Sequence, residues 1–485
     1  MRSLTVNEDS RLSFWLRVRE FAVPPSMIES ATARRANGDW AGACAAAHVD
    51  VDLNLRSAAH AHGQEFADRV RTDLRHLAPD LLRWHMPRIA PDGLLRPGLT
   101  ISLARYHPAE HGGGSTVHLV ARTPPAWADA GQRISLALWD GTRAGIGLHP
   151  HPRPHRRFRL DLHRHLWDAR RIGELRVRSG ADRPPADGRL APDLRGADRP
   201  PDSRPAPDLR GCAVDRWAAE ARILLRAEGR AGEAVAVRLG GRRQLVLEPA
   251  ADGADSRLLA PAADGAGSRL PALRITQVPA RGGGSALPVL PDAATWTLPD
   301  LALLRARLIE ADRLHPLVAS ALVPGHSTAD VPLSPDGRPR LVECRGARHR
   351  IGLVDGVLVP LDHDPDEVRR EQLLAALTGT PLPCLQVIDE AHRDPDCLID
   401  VRARLDHGDT AGALAAVEGL LGPGAPLPEG ALRDELEMAA LRRIAHGLFR
   451  AEITELGQGP AATRPGRRSR RSRGDRARTH HAMYR

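Results

Sequence analysis

VPLSPDGRPRLVECRGARHRIGLVDGVLVPLDHDPDEVRREQLLAALTG (331–379) is the stretch that sets the reading of the fold. Apolar runs flank Asp336-Gly337 and again Asp355-Gly356. Asp-Gly between strand-like segments signals a hairpin, because both turn residues must reach φ > 0. A β-meander is expected here, feeding a helix that Asp364 caps, Pro365 opens and Glu367 supports from the far side of a capping box. Antiparallel strands followed by helices place the chain in the α+β class.

Downstream, residues 364–457 read as a helical bundle, with Leu432, Leu436, Ala440, Ile444 and Leu448 in an i, i+4 stripe. Residues 458–485 have no apolar periodicity and are expected to be disordered. Upstream, residues 273–363 form an α/β segment: strand-like LRITQV (273–278), then a helix opened by Thr297-Leu298-Pro299-Asp300 and bearing Leu301, Leu304 and Leu308, then the meander. Residues 213–248 hold a helix with Val214, Trp217, Ala221 and Leu224 on one face, and a hairpin, AVAVRLGGRRQLVLE, turning at Gly240-Gly241. Two repetitive inserts flank this piece. One spans 180–212 and contains the near-duplicates GADRPPADGRLAPDLR and GADRPPDSRPAPDLR; the other, 249–272, pairs PAADGADSRLLA with PAADGAGSRLPA. Both lack the apolar surface that offsets ordering entropy, so disorder is expected.

Residues 91–179 switch to short strand-like runs: LTISLARY (99–106), STVHLVAR (115–122), RISLALW (133–139), RFRLDLH (157–163) and ELRVR (174–178). They predict an antiparallel β-rich domain. Residues 1–90 read as helical, with Phe66, Val70, Leu74, Leu77 and Leu81 on one stripe, and Pro79 suited to opening a new short helix.

Composition excludes whole classes of chemistry. The chain has no lysine: all 69 basic residues are arginine. A Walker A lysine, a kinase strand lysine, a Schiff-base lysine and a Ser-x-x-Lys pair are therefore unavailable, and arginine stays protonated too firmly to replace them. Residues 460–485 hold nine Arg against one Asp, which leaves little of the +9 formal charge for the rest. Arg467, Arg468, Arg470, Arg471, Arg473, Arg476 and Arg478 make a basic arm suited to nucleic acid or another polyanion. Aromatics are only 3%, which argues against a base-stacking platform. Five scattered cysteines without a Cys-x-x-Cys suit a reducing compartment, and no apolar run reaches membrane-spanning length or marks a signal peptide. A cytoplasmic location without membrane association is expected.

Several motifs approach chemistry. Pro335-Asp336 followed by Glu343-Cys344-Arg345 resembles the PD-(D/E)xK pattern of metal-dependent nucleases, in which an Asp and a Glu hold Mg²⁺ through hard oxygens. Here Arg345 stands in the lysine position and the spacing is short. His111-Gly112-Gly113-Gly114 matches a lipase oxyanion loop, and Gly325-His326-Ser327-Thr328-Ala329 resembles a nucleophile elbow with Ala in place of its last Gly. The elbow needs a strand before its serine, whereas LVASALV precedes this one. Histidines cluster at His60 and His62, at His149, His151 and His155, and at His163 and His165. A His-x-His pair on a strand puts both rings on one face, where they suit a borderline metal; prolines between 149 and 155 favour a solvated loop instead. Cys384 and Cys397 lack a zinc-knuckle partner pair. No cofactor or metal is expected.

ANGDWAGACAA (36–46) and DHGDTAGALAA (406–416) share Gly-Asp-x-Ala-Gly-Ala-x-Ala-Ala. In each, Gly ends one helix in the left-handed conformation and Asp caps the next. This is similar to the helix–turn–helix unit of tetratricopeptide-type repeats, without that family's aromatic and proline signature. The similarity implies a partner-binding role. MIESATARRANGDWAGACAAAHVDVDLNL (27–55) and DLRHLAPDLLRWHMPR (73–88) resemble an actinobacterial family of large cytosolic proteins with no assigned activity. Its genes neighbour ATPases of the AAA+ type, so the resemblance implies an AAA+ ATPase as protein partner. The expected function is a non-enzymatic intracellular adaptor or regulatory protein, with a divergent metal-dependent nuclease using Asp336, Glu343 and Arg345 as the alternative.

Overall fold

The computed structural model describes residues 5–107, 116–141, 149–183, 209–240, 243–249, 273–279, 287–325, 340–344, 346–354, 357–360, 362–378, 382–383, 395–421 and 431–451. The chain is α+β, with antiparallel sheets and one mixed sheet. It divides into two compact units: Met1–Asp129 with Arg133–Ser327 and Thr454–Arg485, and Thr328–Ile453 with Ala130–Gln132. Among the described residues no helix is long and apolar enough to cross a membrane.

The first unit opens with helices α1 (Thr5–Arg17), α2 (Pro25–Ala36), α3 (Trp40–Ala46), α4 (Leu55–His62), α5 (Gln64–His76) and α6 (Pro79–His85). Pro79 takes the first turn of α6, where its missing N–H costs nothing, and Phe66, Val70, Leu74, Leu77 and Leu81 are all buried. Residues 49–51, read as helix, instead form strand β1 (Val49–Val51), which lies parallel to β6 (Ile134–Trp139) at the edge of a sheet ordered β1-β6-β5-β4. The alternation Val49-Asp50-Val51 was the available signal. A short hairpin of β2 (Arg88–Ile89) and β3 (Leu94–Leu95) precedes β4 (Thr100–Tyr106) and β5 (Val117–Arg122), which pair antiparallel with a bulge between Ser102 and Ala104.

Two expected strands are not strands. ELRVR lies in helix α7 (Leu175–Ser179) and the 3-10 turn before it. RFRLDLH (157–163) is a run of turns with a single bridge from Ser102 to Arg159. Its alternation misleads because both sets of residues are buried: Phe158 and Leu160 in the apolar core, and Arg157, Arg159 and His163 on buried partners. A half-exposed strand needs one set in water.

One apolar core runs through these elements, from Trp15 and Trp84 through Ile101, Leu103 and Leu136 to Trp167, and takes in α10 (Pro299–Arg305) and α11 (Pro316–Leu322). Asp300 falls at the start of α10 as read, whereas Leu308 lies beyond its end and is exposed. A second cluster joins Trp217, Ala221 and Leu224 of α8 (Val214–Ala227) to Val235, Val237 and Leu239 of β7 (Val235–Gly240) and Leu245 and Leu247 of β8 (Arg243–Pro249). Gly240, read as a turn residue, instead pairs with Arg243 as part of the ladder. Strand β9 (Leu273–Pro279) completes the sheet, and α9 (Asp292–Thr295) packs beside it in sequence order after Val289 bridges to Ala236.

In the second unit the meander is β10 (Arg340–Cys344), β11 (Ala347–Val354) and β12 (Val357–Pro360), all antiparallel. Its first turn lies between the paired Cys344 and Ala347, with Gly346 at φ 78°; its second lies between the paired Val354 and Val357. Asp336-Gly337 lies outside the described residues. Helix α12 (Pro365–Thr378) begins as read, with the Asp366 N–H donating to Asp364 Oδ1 at 3.0 Å. Helices α13 (Pro395–His407), α14 (Thr410–Leu421) and α15 (Ala431–Arg450) follow and share a small core of Val401, Leu405, Ala413 and Val417. Against that core α15 packs Leu432, Leu436 and Ala439, whereas Ala440 and Ile444 of the expected stripe are exposed. Each i, i+4 step overshoots a full turn by about 40°, so the stripe winds off the contact face.

Candidate functional site

The first unit buries an unusual number of ionisable side chains. Asp73 of α5 accepts from Tyr106 Oη (2.7 Å), Arg164 (2.5 Å) and Arg170 (2.6 Å). Both arginines also reach Asp168, whose other oxygen caps the Arg170 N–H. Burial and Asp73 push the Tyr106 phenol up from its ordinary range. Asp161 takes a bidentate contact from Arg159 (2.8 and 3.0 Å) and an ion pair from Arg105 (3.0 Å); Arg159 continues to Glu228 at 2.8 Å. Arg157 pairs with Asp292, and Asp300 receives Arg19 at 3.2 Å and the Trp84 indole at 2.8 Å.

Several imidazoles lie deep in the same unit. The His163 Nδ1–H donates to Arg159 O (3.0 Å), and its Nε2 lies 3.3 Å from Glu220, which Arg178 grips at 2.7 and 2.6 Å. His315 accepts the Leu317 N–H at Nδ1, which fixes its proton on Nε2, 3.0 Å from Asp80. His85 is pushed down to about 3 by burial, with Arg19 and Arg88 adding to the effect, and His165 falls well below its ordinary value for the same first reason, with Arg178 next. These groups tie elements together, each carboxylate taking donors from separate segments of the chain.

The nearest approach to nucleophilic chemistry escaped the sequence reading. Ser102 Oγ lies 2.9 Å from His118 Nδ1 on neighbouring strands, beside the β4 bulge. Ser102 is 0% exposed, so no substrate carbonyl reaches it. Burial and Arg105 push His118 down to about 4, too weak a base to activate a hydroxyl at neutral pH.

Of the residues singled out from the sequence, Glu343 is exposed on β10 opposite Arg348, while Asp336 and Arg345 lie outside the described residues. So do the HGGG loop, Ser327, Cys384 and the whole basic arm. Helix α11, not a strand, precedes Ser327. Cys397 falls in α13. His60 and His62 lie on α4, where two residues of separation turn the rings about 160° apart. His149 uses one ring nitrogen on Thr123 O and the other on the His151 N–H. Among the described residues no three His, Cys, Asp or Glu side chains converge as metal ligands would.

The repeated segments do fold alike. Gly38 and Gly408 end α2 and α13 at φ 78° and 87°. Asp39 accepts the Gly42 N–H at 2.8 Å, and Asp409 the Gly412 N–H at 2.9 Å. Arg34 and Arg404, five residues before each aspartate, clamp it at 3.0 and 3.2 Å. A Cβ on Gly42 or Gly412 would collide with the capping carboxylate, which explains the second glycine of the motif.

Apolar exposure is uneven. Among the described residues the second unit exposes Leu373, Ile399, Leu414, Leu441 and Ile444, and the larger first unit Trp127, Val177 and Leu308. Leu441, Ile444 and the half-buried Leu448 stand at i, i+3 and i+7, a row on the side of α15 away from Leu432 and Leu436. No family model, curated protein or solved structure matches this chain.

Proposed function

We propose that the chain is a non-enzymatic intracellular adaptor or regulatory protein that works through protein–protein contacts, with the arginine arm as a secondary contact for nucleic acid or another polyanion. The observation that carries this reading is the set of large aliphatic side chains that the second unit leaves in water. Such side chains are stabilised by cover, and Leu441 and Ile444 lie one turn apart on one face of their helix. The capped helical hairpin of α13 and α14 supplies a rigid support for them, and the first unit spends its acids, imidazoles and arginines on internal ties. An AAA+ ATPase is the partner that the family resemblance suggests.

Photo-crosslinking in the native host tests this. A photoreactive residue at Ile399 or Leu414 is expected to give one recurrent protein adduct, and the same residue at exposed, polar Arg69 none. Equal labelling at all three positions contradicts the proposal. Plasmid cleavage with Mg²⁺ or Mn²⁺ that Glu343→Ala abolishes would replace it by the nuclease.

A further inference from the structure

The first unit holds two apolar cores that are separate from each other. α8, β7 and β8 enclose the smaller one with Leu290 and Ala294, whereas Trp296, two residues on, already belongs to the larger. Among the described residues Cys212 borders both, and Leu162 reaches the smaller core from the turns 157–163. The chain passes between the cores at one place. Cys212 bridges Trp296 antiparallel, the Ala213 N–H donates to Thr295 O at 3.0 Å, and the Thr297 N–H donates to Gly211 O at 2.9 Å. Segments 211–213 and 295–297 therefore form a two-stranded neck, and such adjacent ends suit a domain inserted into a host chain. On the host side Arg11 of α1 donates to Thr297 O at 3.2 Å; on the other the Trp217 indole donates to Thr295 O at 3.1 Å. Gly211 takes φ 71° in the neck, where a side chain would be strained.

Away from the neck, charged contacts join the two sides. Arg178 of α7 grips Glu220 of α8 at 2.7 and 2.6 Å, and Arg159 Nη1 donates to Glu228, the residue that ends α8, at 2.8 Å. Arg157 pairs with Asp292 of α9, whose N–H donates to Arg157 O at 3.0 Å. In all three pairs the acid belongs to the smaller piece and the arginine to its host. Apolar burial holds each core together, whereas an ion pair that parts completely regains the hydration of both its members. Cores joined in this way separate at a lower cost than either melts.

We infer that the piece built on α8, β7, β8 and α9 is an inserted domain that opens as one body about the neck at 211–213 and 295–297, with Arg157–Asp292, Arg159–Glu228 and Arg178–Glu220 as its latch. Both cores stay intact in the open form. What changes is the cover over α7 and the turns 157–163. A two-state element of this kind is shifted by anything that binds one form better than the other. The device is independent of the exposed leucines of the second unit.

Native-state hydrogen exchange of the full chain, read by NMR, tests this in the parent and in Glu228→Ala. The Glu228 carboxylate is partly exposed and Arg159 keeps Asp161 without it, so the variant retains both cores. Two hydrogens that cross the seam report opening: the Asp292 N–H on Arg157 O and the Arg178 Nε–H on Glu220. In the parent they should share one protection factor, at least tenfold below those of the β7–β8 and β5–β6 ladders. In Glu228→Ala both should exchange about tenfold faster, although neither bonds to Glu228, while the two ladders keep their protection. Seam and ladders that accelerate together mean one cooperative body and overturn the inference. So does a β7–β8 ladder that accelerates with the seam, which is melting in place, or a seam that exchanges no faster in the variant.

Discussion

His85 shows how a single side chain sets the response of the molecule to acid. Unfolded, an imidazole takes up a proton near pH 6.5; folded, His85 is pushed down to about 3 by burial and by Arg19 and Arg88. The folded state therefore refuses a proton that the unfolded state accepts. Stability is full above about 6.5 and is lost progressively between there and about 3, by roughly 1.4 kcal/mol per pH unit. Urea unfolding between pH 7.5 and 5 should show His85→Gln with a shallower loss than the parent; identical slopes would place the proton uptake elsewhere. Asp409 offers a second measurement. Asp409→Ala removes the cap of α14 and the clamp to Arg404 and should cost about 1 kcal/mol, with Asp409→Asn recovering most of it. The glycine–aspartate turns were legible in the sequence because a cap needs a fixed residue at a fixed offset. The arginine clamp was not, since it is set by where a long side chain ends. Buried ionic partners such as Asp73 and Arg164, 91 residues apart, leave no local trace at all.

Elements follow the same division. The Asp364-Pro365 start, the α8 face and the meander strands were readable, because each depends on a local period or on a residue with restricted φ. RFRLDLH failed because alternation reports faces only when one face is wet, and here both are dry. The stripe on α15 failed for a geometric reason: a strict four-residue repeat winds round a 3.6-residue helix, so its later members turn off the hairpin. That failure is informative, since the turned-off members are the exposed Ile444 and the half-buried Leu448. At this scale the firmest prediction concerns Glu220 of α8, which Arg178 of α7 grips with two bonds while His163 faces it. Glu220→Ala leaves the half-buried Arg178 guanidinium with Leu162 O and Glu174 and should destabilise the first unit by about 2–3 kcal/mol in denaturant unfolding. A loss below about 1 kcal/mol would mean that the contact adds little to the join between α7 and α8.

Across the whole molecule, the two units divide labour by the kind of surface they present. Among the described residues the first buries many charged groups and fully encloses four tryptophans; the second shows a small helical core cluster of four residues and a disproportionate share of exposed aliphatics. Only part of this candidate site was legible: the sequence marks the helices that carry it but not which of their leucines reach water. Recovery of a host protein by the full chain and by the Leu441→Ser/Ile444→Ser variant, compared quantitatively, is the most direct test of action through these surfaces. Both positions are exposed, so thermal stability should be unchanged while recovery of the partner falls at least tenfold. Unchanged recovery, or a turnover activity that stops when one buried imidazole or carboxylate is removed, would contradict the account.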